Sequence, residues 1–440
     1  MNYEGLTGKV VVPGDPGYER ARQEYNIAIQ KYPAVIVYCF EADDVKNAIV
    51  WSREQGIELR VRSGGHDYEG YSTGNGKLVI DTSPLNGVRI NEWEDTVTVQ
   101  AGTRLLTLYE ELYQSGYAFP GGTCPTVGIS GLVLGGGIGL STRYLGLTAD
   151  SLLQARMIDY EGRQLTADCA CNAELFWALR GAGGGNFGVV TDYKFRVPRV
   201  NNITVIQLRW DDNLAARYRF LETWQDWLPQ LDRRLSLFGG IYKFGAWVNA
   251  FFYGTTEEAR QVLQPLLNIP GLTLETIRYV PFIDAIKLIG AIYPPRDAFQ
   301  AAGRFVHRHF SQQELAGLID VIDKAPSSPD SSIRVYSLGG AVRDTAAAAT
   351  AFPYRQADYI IAVASSWEQK SAADSHREWI LYGFEYLYPI TRGSYINFPY
   401  SLIPDYQQAY FDGNLCRLQA VKKTYDPCDI FRFPQSIRLP

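Results

Sequence analysis

Arg60-Val-Arg-Ser-Gly-Gly-His-Asp-Tyr-Glu-Gly70 and Pro120-Gly-Gly-Thr-Cys-Pro-Thr-Val-Gly-Ile-Ser-Gly-Leu-Val-Leu-Gly-Gly-Gly-Ile-Gly139 decide how this chain is read. Each sets one nucleophilic side chain, His66 or Cys124, in a glycine-rich loop. Imidazole nitrogen and thiolate both attack electrophiles that reach them. Glycine lets a backbone turn its N–H groups toward a ligand and lets that ligand come close. Glycines crowd three places: five fall within residues 60–76, eight within 121–139 and five within 181–188. This clustering predicts an extended, phosphate-bearing cofactor; a set of tight turns in a β-rich domain is the plainer alternative.

The third cluster, Gly183-Gly-Gly185-Asn-Phe-Gly188, matches G-x-G-x-x-G. A dinucleotide fingerprint of that form needs a strand before it and a helix after it, so that the helix N-terminus meets the pyrophosphate. Here a helical pattern precedes (173–180) and an alternating, strand-like one follows (189–197). A nicotinamide-type site is rejected, although the segment remains free to touch a cofactor by another geometry.

The rest of the chain sets limits. With 440 residues, two or three domains are expected. Hydrophobic residues at 46% and charged residues at 20% mark a packed globular chain. The 42 basic and 47 acidic residues give a net charge of −5, against the basic excess of a nucleic-acid binder. The N-terminus has no basic stretch followed by an apolar run. The longest apolar run, residues 34–40, is far short of the ~20 residues that span a bilayer. A soluble, cytoplasmic protein without nucleic-acid or membrane partners is the expectation. Six cysteines do not make a disulfide framework. Cys169 and Cys171 lack a second pair or a histidine at zinc-site spacing. His307 and His309 are expected to share one face of a strand without a carboxylate beside them, so no metal is expected.

Local patterns predict helices over 42–54, 105–115, 173–180, 214–228, 256–267, 312–323 and 372–387. They predict strands over 58–61, 77–81, 96–101, 152–159, 189–197, 236–253, 334–339 and 359–364. A surface loop is expected at 325–332. The grouping argues for an α+β protein rather than a regular βαβ series.

At this point the sequence resembles berberine bridge enzyme-like FAD-linked oxidases of the vanillyl-alcohol-oxidase (PCMH-type) flavoprotein superfamily. The likeness rests on R-S-G-G-H at 62–66, C-P-T-V-G at 124–128 and the glycine run after it. It also rests on Trp177-Ala-Leu-Arg-Gly-Ala-Gly-Gly-Gly-Asn-Phe-Gly188, Tyr395-Ile-Asn397, Gly413-Asn414 and Tyr425-Asp-Pro…Phe431…Gln435-Ser-Ile437. The resemblance implies a PCMH-type FAD-binding domain at 1–197 and 396–440. It implies a substrate domain at 198–395, an antiparallel sheet backed by helices. It implies FAD bound covalently twice, through a ring nitrogen of His66 to the flavin 8-methyl group and through Cys124 sulfur to ring carbon 6. The flavin contacts it implies are Arg62, Ser63, Gly64, Gly65, Asp67, Gly121, Gly122, Thr123, Val127, Gly128, Ile129, Gly131, Gly135, Gly136, Gly188, Val190, Asn397 and Asn414. The implied activity is hydride transfer from an alcohol or lactol carbon of a sugar or natural product, with molecular oxygen reduced to hydrogen peroxide. Valine at 127 goes with oxygen as acceptor in this family. The alternatives are a dehydrogenase with another acceptor and a flavin-retaining binding protein with little turnover.

The second half of the pattern departs from the family. Phe398, Ile361 (with Ile360), Ile138 and Leu132 occupy positions where relatives often carry polar groups. Tyr395 is the leading proton acceptor, with Tyr400 nearby. An unperturbed phenol titrates near ~10, so either needs a positive neighbour; Arg343 and Arg355 are the arginines named from sequence. The apolar replacements fit a substrate less polar than a sugar.

Overall fold

A computed structural model describes residues 2–326 and 331–440. Three sheets carry the architecture. The first holds β1 (Lys9–Val11), β2 (Val35–Tyr38), β3 (Leu59–Arg62) and β4 (Leu78–Asp81) in the order β1-β2-β4-β3. The pairs β2–β4 and β3–β4 are parallel and β1–β2 is antiparallel. Parallel strands are covered on both faces and read as continuous apolar runs rather than alternating ones. That explains the run at 34–40. Val35 and Val37 pack with Val45, Ile49 and Trp51 of the helix Ala42–Gln55, while Ile36 packs with Val11, Tyr18 and Ala21 on the other face. Each such fully buried side chain contributes about 1.5–3 kcal/mol. The helix starts where Asp44 accepts the backbone N–H groups of Phe40 and Glu41, and it ends at Gly56 in the left-handed region, φ 65°.

The second sheet is antiparallel. It holds β5 (Val88–Asn91), β6 (Thr96–Gln100), β7 (Leu152–Ile158), β8 (Gln164–Asp168) and β9 (Val189–Arg196), in the order β5-β6-β9-β7-β8. The turn between β7 and β8 is made by Asp159, whose carboxylate accepts the N–H groups of Glu161 and Arg163.

The third sheet is antiparallel and has seven strands: β10 (Asn202–Trp210), β11 (Leu235–Tyr242), β12 (Gly245–Phe252), β13 (Leu274–Pro281), β14 (Phe299–Val306), β15 (Ser332–Ser337) and β16 (Tyr359–Ser366). Their order is β13-β10-β12-β11-β15-β16-β14. One face packs on the helices Leu214–Trp227, Gln312–Asp323 and Ala373–Leu387 through residues such as Leu237, Val335 and Val363. The register aligns the other face: Phe238 opposite Tyr336 and Gly240 opposite Arg334, then Tyr336 opposite Ile360 and Arg334 opposite Ala362. This second face looks toward the glycine loops.

The α+β expectation holds: helices and mixed or antiparallel sheets are grouped in this way. The expected strand at 236–253 is the hairpin β11–β12. Four strands outside the seven-stranded sheet, β1, β2, β5 and β8, were not predicted, nor were three within it. In β13, an edge strand, burial does not alternate, and β14 (Phe-Gln-Ala-Ala-Gly-Arg-Phe-Val) has three small residues at its centre and no β-branched alternation. The third, β10, carries apolar side chains of both faces in the core. His307 and His309 do not share a strand face. Both lie beyond the end of β14, and His309 Nδ1 sits 3.6 Å from Asp226. Of the loop expected at 325–332, residues 327–330 lie outside the described residues, and Ser332 already belongs to β15. Among the described residues no helix is long and apolar enough to cross a membrane.

The end of the chain is tied back to the third glycine cluster. Lys422, fully buried, donates to the carbonyls of Asn186 and Phe431 and to the Asp426 carboxylate at 2.6–2.8 Å. Removing one partner of such a buried pair leaves an uncompensated charge and costs about 3–5 kcal/mol.

Candidate active site

The two glycine loops meet through the segment between β6 and the helix Leu105–Gln114. Ser63 Oγ and Ser130 Oγ both donate to the Ala101 carbonyl at 2.7 Å. Arg104 Nη1 donates to the carbonyls of both Gly64 and Thr126. Thr103 C=O accepts the Ile129 N–H, and Val127 C=O accepts the Leu105 N–H. At the junction a Cβ on Gly64 would strike the Gly128 backbone, and one on Gly128 would lie 2.6 Å from Gly64 N. Only glycine permits that approach.

The junction brings the two nucleophiles to one hydroxyl. His66 Nε2 is 3.0 Å and Cys124 Sγ 3.6 Å from Thr126 Oγ1. Tyr25 stacks on the His66 ring at 4.0 Å. Burial, aided by the Arg104 charge, pulls the imidazole down to about 3, so it is neutral with a free nitrogen lone pair. Burial pushes the Cys124 thiol up, opposed by hydrogen bonds from Thr126 and Val127 and by Arg104. Asp67 accepts the N–H groups of Glu69 and Tyr71, yet burial raises it to about 6.

A single long cavity runs past both groups. Of the residues expected from the sequence, its walls include Ser63, Gly64, Gly65, His66, Asp67, Gly122, Thr123, Cys124, Val127, Gly128, Gly131, Gly188, Val190, Tyr395 and Asn397. Gly183, Gly184 and Gly185 of the rejected fingerprint join them, as do Phe431, Phe433 and Gln435 near the chain end.

Seven expected residues do not line it. Arg62 is buried in ion pairs with Asp81 (2.6 Å) and Glu24 (3.4 Å). Gly121 packs on Tyr109, and Ile129 is in the core. Gly135 leaves room for the Asn397 amide and Gly136 for the Phe352 ring. Asn414 Nδ2 donates to the carbonyls of Thr350 and Ala351. Tyr400 stands against Phe384, 4.9 Å between ring centres, with its carbonyl accepting from Gln435. These seven brace the loops and their neighbours.

Tyr395 reaches the cavity with its hydroxyl oxygen accepting the Gly137 N–H (3.0 Å) and Asn397 Nδ2 (3.1 Å). Both bonds favour the phenolate, while burial pushes the phenol well above its ordinary value. Neither arginine named from sequence serves it. Arg355 forks onto Asp150 at 2.7 Å, and Arg343 pairs with Asp358 at 2.5 Å.

The wall facing the loops was not legible as such in the sequence. It is the open face of the seven-stranded sheet, with Tyr68 and Tyr293 beside it. Tyr68 stacks on Phe398 (5.4 Å) and meets Phe299 edge-on (4.9 Å), and Phe238 meets Tyr336 at 4.8 Å. Thr123 Oγ1 and Tyr293 Oη are 2.6 Å apart. Leu132, Ile138 and Phe398, the apolar replacements, line this cavity too, whereas Ile361 points into the core behind the sheet.

Comparison with known proteins agrees with this anatomy. The FAD binding domain family matches residues 33–168, and the family described as berberine and berberine like matches residues 394–438. The chain is 35% identical to the uncharacterized FAD-linked oxidoreductase YgaK of Bacillus subtilis (strain 168), over 99% of this chain and 98% of that protein. It is 26% identical to berberine bridge enzyme-like 22 of Arabidopsis thaliana, over 92% of this chain and 84% of that protein. The structure of Physcomitrella patens BBE-like 1 superposes with a TM-score of 0.93 at 28% identity, covering 98% of this chain and 97% of that one. A chitooligosaccharide oxidase superposes with a TM-score of 0.87 at 26% identity, over 98% and 97% of the two chains.

Proposed function

The chain belongs to the berberine bridge enzyme-like FAD-linked oxidoreductases, and from that premise we propose that it is an oxidase whose FAD is held by two covalent links. Its substrate is a small alcohol or lactol, a sugar or natural product, oxidised at the CH–OH carbon. The observation that carries the reading is the meeting of His66 Nε2 and Cys124 Sγ at one hydroxyl, Thr126 Oγ1.

The residues present fit the cofactor. Gly131 stands in the cavity wall with nothing within 4 Å of where a Cβ would be, so its missing side chain leaves space for an occupant. The donor pair fits as well: a neutral imidazole offers a ring-nitrogen lone pair for the flavin 8-methyl carbon, and the thiol offers sulfur for ring carbon 6. When bound, the flavin would supply the hydride acceptor and the route for the electron pair to molecular oxygen, giving hydrogen peroxide.

The chain's own side chains do the rest. Tyr395 takes the hydroxyl proton in its phenolate form, the form that the Gly137 N–H and Asn397 Nδ2 stabilise against the opposing effect of burial. We keep Tyr400 out of the reacting shell. Val127, with its small side chain in the cavity wall, leaves oxygen a path. We assign residues 1–197 and 396–440 to flavin binding and residues 198–395 to substrate binding.

The test is an absorbance spectrum before and after acid precipitation. Yellow colour that stays in the pellet, and moves to the supernatant only when both His66→Ala and Cys124→Ala are present, is the expected result. Colour released from the unaltered protein would sink the covalent links, and a colourless protein that added FAD does not restore would sink the flavin reading. Substrate-dependent bleaching without peroxide would move the assignment to a dehydrogenase.

A further inference from the structure

Arg334 sits near the middle of the seven-stranded sheet, on β15, and its side chain faces the cavity. Its cross-strand neighbours on that face are Gly240 and Ala362, two of the smallest side chains available. They leave the long side chain room to project from the sheet. Nε donates to Ser332 Oγ at 2.9 Å. No ion pair joins the guanidinium to a carboxylate among the described residues. Three phenols, those of Tyr336, Tyr68 and Tyr293, interact with it.

The other cavity-side arginines are committed differently. Arg60 meets Glu58, and Arg432 meets the same carboxylate. Arg104 is spent on the loop carbonyls. Arg334 is half-buried and opens into the cavity. A guanidinium withdrawn from bulk water with no carboxylate in ion-pair contact is costly, and a ligand anion relieves that cost. Its planar fork matches a carboxylate with two parallel hydrogen bonds.

We infer that Arg334 is the anchor for a carboxylate on the substrate, so that this enzyme acts on a largely apolar, carboxylate-bearing alcohol rather than on a neutral sugar. The surroundings support the apolar part of that description. Phe238, Phe299, Phe398 and Tyr336 line the same cavity with flat apolar faces, and Leu132 and Ile138 add to them. The inference rests on the flavin reading above for what happens to the anchored molecule, but not for the binding itself.

The probes are benzoate and benzamide, which share a shape and differ in charge. Binding to the purified holoprotein is followed by calorimetry and by the perturbation of the flavin absorbance band. The expected result is that benzoate binds and benzamide binds about 10–100-fold more weakly. Arg334→Gln abolishes that preference and Arg334→Lys retains part of it. Flavin content is unchanged in both variants. Because Arg334→Gln strands no carboxylate, the variant unfolds at the same temperature as the parent or higher.

Equal binding of the two probes by the yellow holoprotein overturns the anchor and leaves the flavin reading intact. Loss of flavin from Arg334→Gln overturns it by making the cofactor the counter-charge. A marked fall in thermal stability overturns it by making the residue structural. A colourless parent protein that still prefers benzoate in calorimetry keeps the anchor and removes the flavin reading instead.

Discussion

The two walls of the cavity are built on opposite plans. The loop wall is backbone: glycines pressed together at Gly64 and Gly128, carbonyls held by Arg104 and two serines, and a single reactive side chain per loop. The sheet wall is side chain: six aromatic rings and one guanidinium projecting from the strands and the segments beside them. Backbone sites tolerate almost no change because each position is defined by clearance. Side-chain sites are free to change identity while the strand beneath stays put. This difference lets one family keep a cofactor and vary what it oxidises.

The comparison is open to attack from both sides. The largest effect belongs to the proton acceptor. Tyr395→Phe keeps the ring and removes the hydroxyl, and kcat falls about 10²–10⁴-fold with flavin content unchanged. A kcat within a few-fold of the parent would reduce Tyr395 to a brace for Gly137 and Asn397. Next come the glycines. Gly64→Ala forces a methyl into the Gly128 backbone and costs roughly 3 kcal/mol in urea unfolding. Gly131→Ala lies in the helix Ile129–Leu134 and meets no protein atom within 4 Å, so it leaves the flavin-free chain as stable or up to about 1 kcal/mol more stable while weakening flavin uptake. Equal losses at the two positions would break the distinction between glycine for packing and glycine for an occupant.

The smallest effect is a titration. Asp67 ionises near 6 in the folded chain against 3.8 for a free carboxyl. The folded state therefore holds its proton more tightly, and the parent loses stability as pH rises from about 4 to about 6. Asp67→Asn keeps an oxygen to accept from Glu69 and Tyr71 and removes the charge. Melting temperatures across that window converge at the acid end and separate by the equivalent of on the order of 1 kcal/mol in favour of the variant above 6. A constant gap across the window would mean that Asp67 does not titrate there.

The same contrast explains what could be read without a structure. His66 and Cys124 stood out because glycine spacing flags a backbone site directly, and the structure brings both to one cavity. Arg104 was not legible. It lies between the two motifs in an ordinary Gly-Thr-Arg-Leu stretch, and its role exists only once both loops fold onto it. Arg334-Val-Tyr336 alternates as a strand should, but alternation says only that two side chains share a face and not that the face borders a cavity. The positive neighbours guessed for Tyr395 failed for the same reason. Arg343 and Arg355 lie 52 and 40 positions before it, and folding hands both to aspartates. Edge strand β13 was invisible because its burial does not alternate.

The buried Lys422 ammonium has a consequence for timing. It pins the segment that carries Phe431, Phe433 and Gln435 against the third glycine cluster, and those residues, with Tyr395 to Phe398, close the cavity that His66 opens. His66 and Gln435 are about 370 positions apart, roughly 20–70 s of ribosome travel. During that interval the loops that bear the two nucleophiles have no complete pocket to offer. A complete pocket for the flavin is thereby a property of the whole chain, assembled only once its last residues are in place.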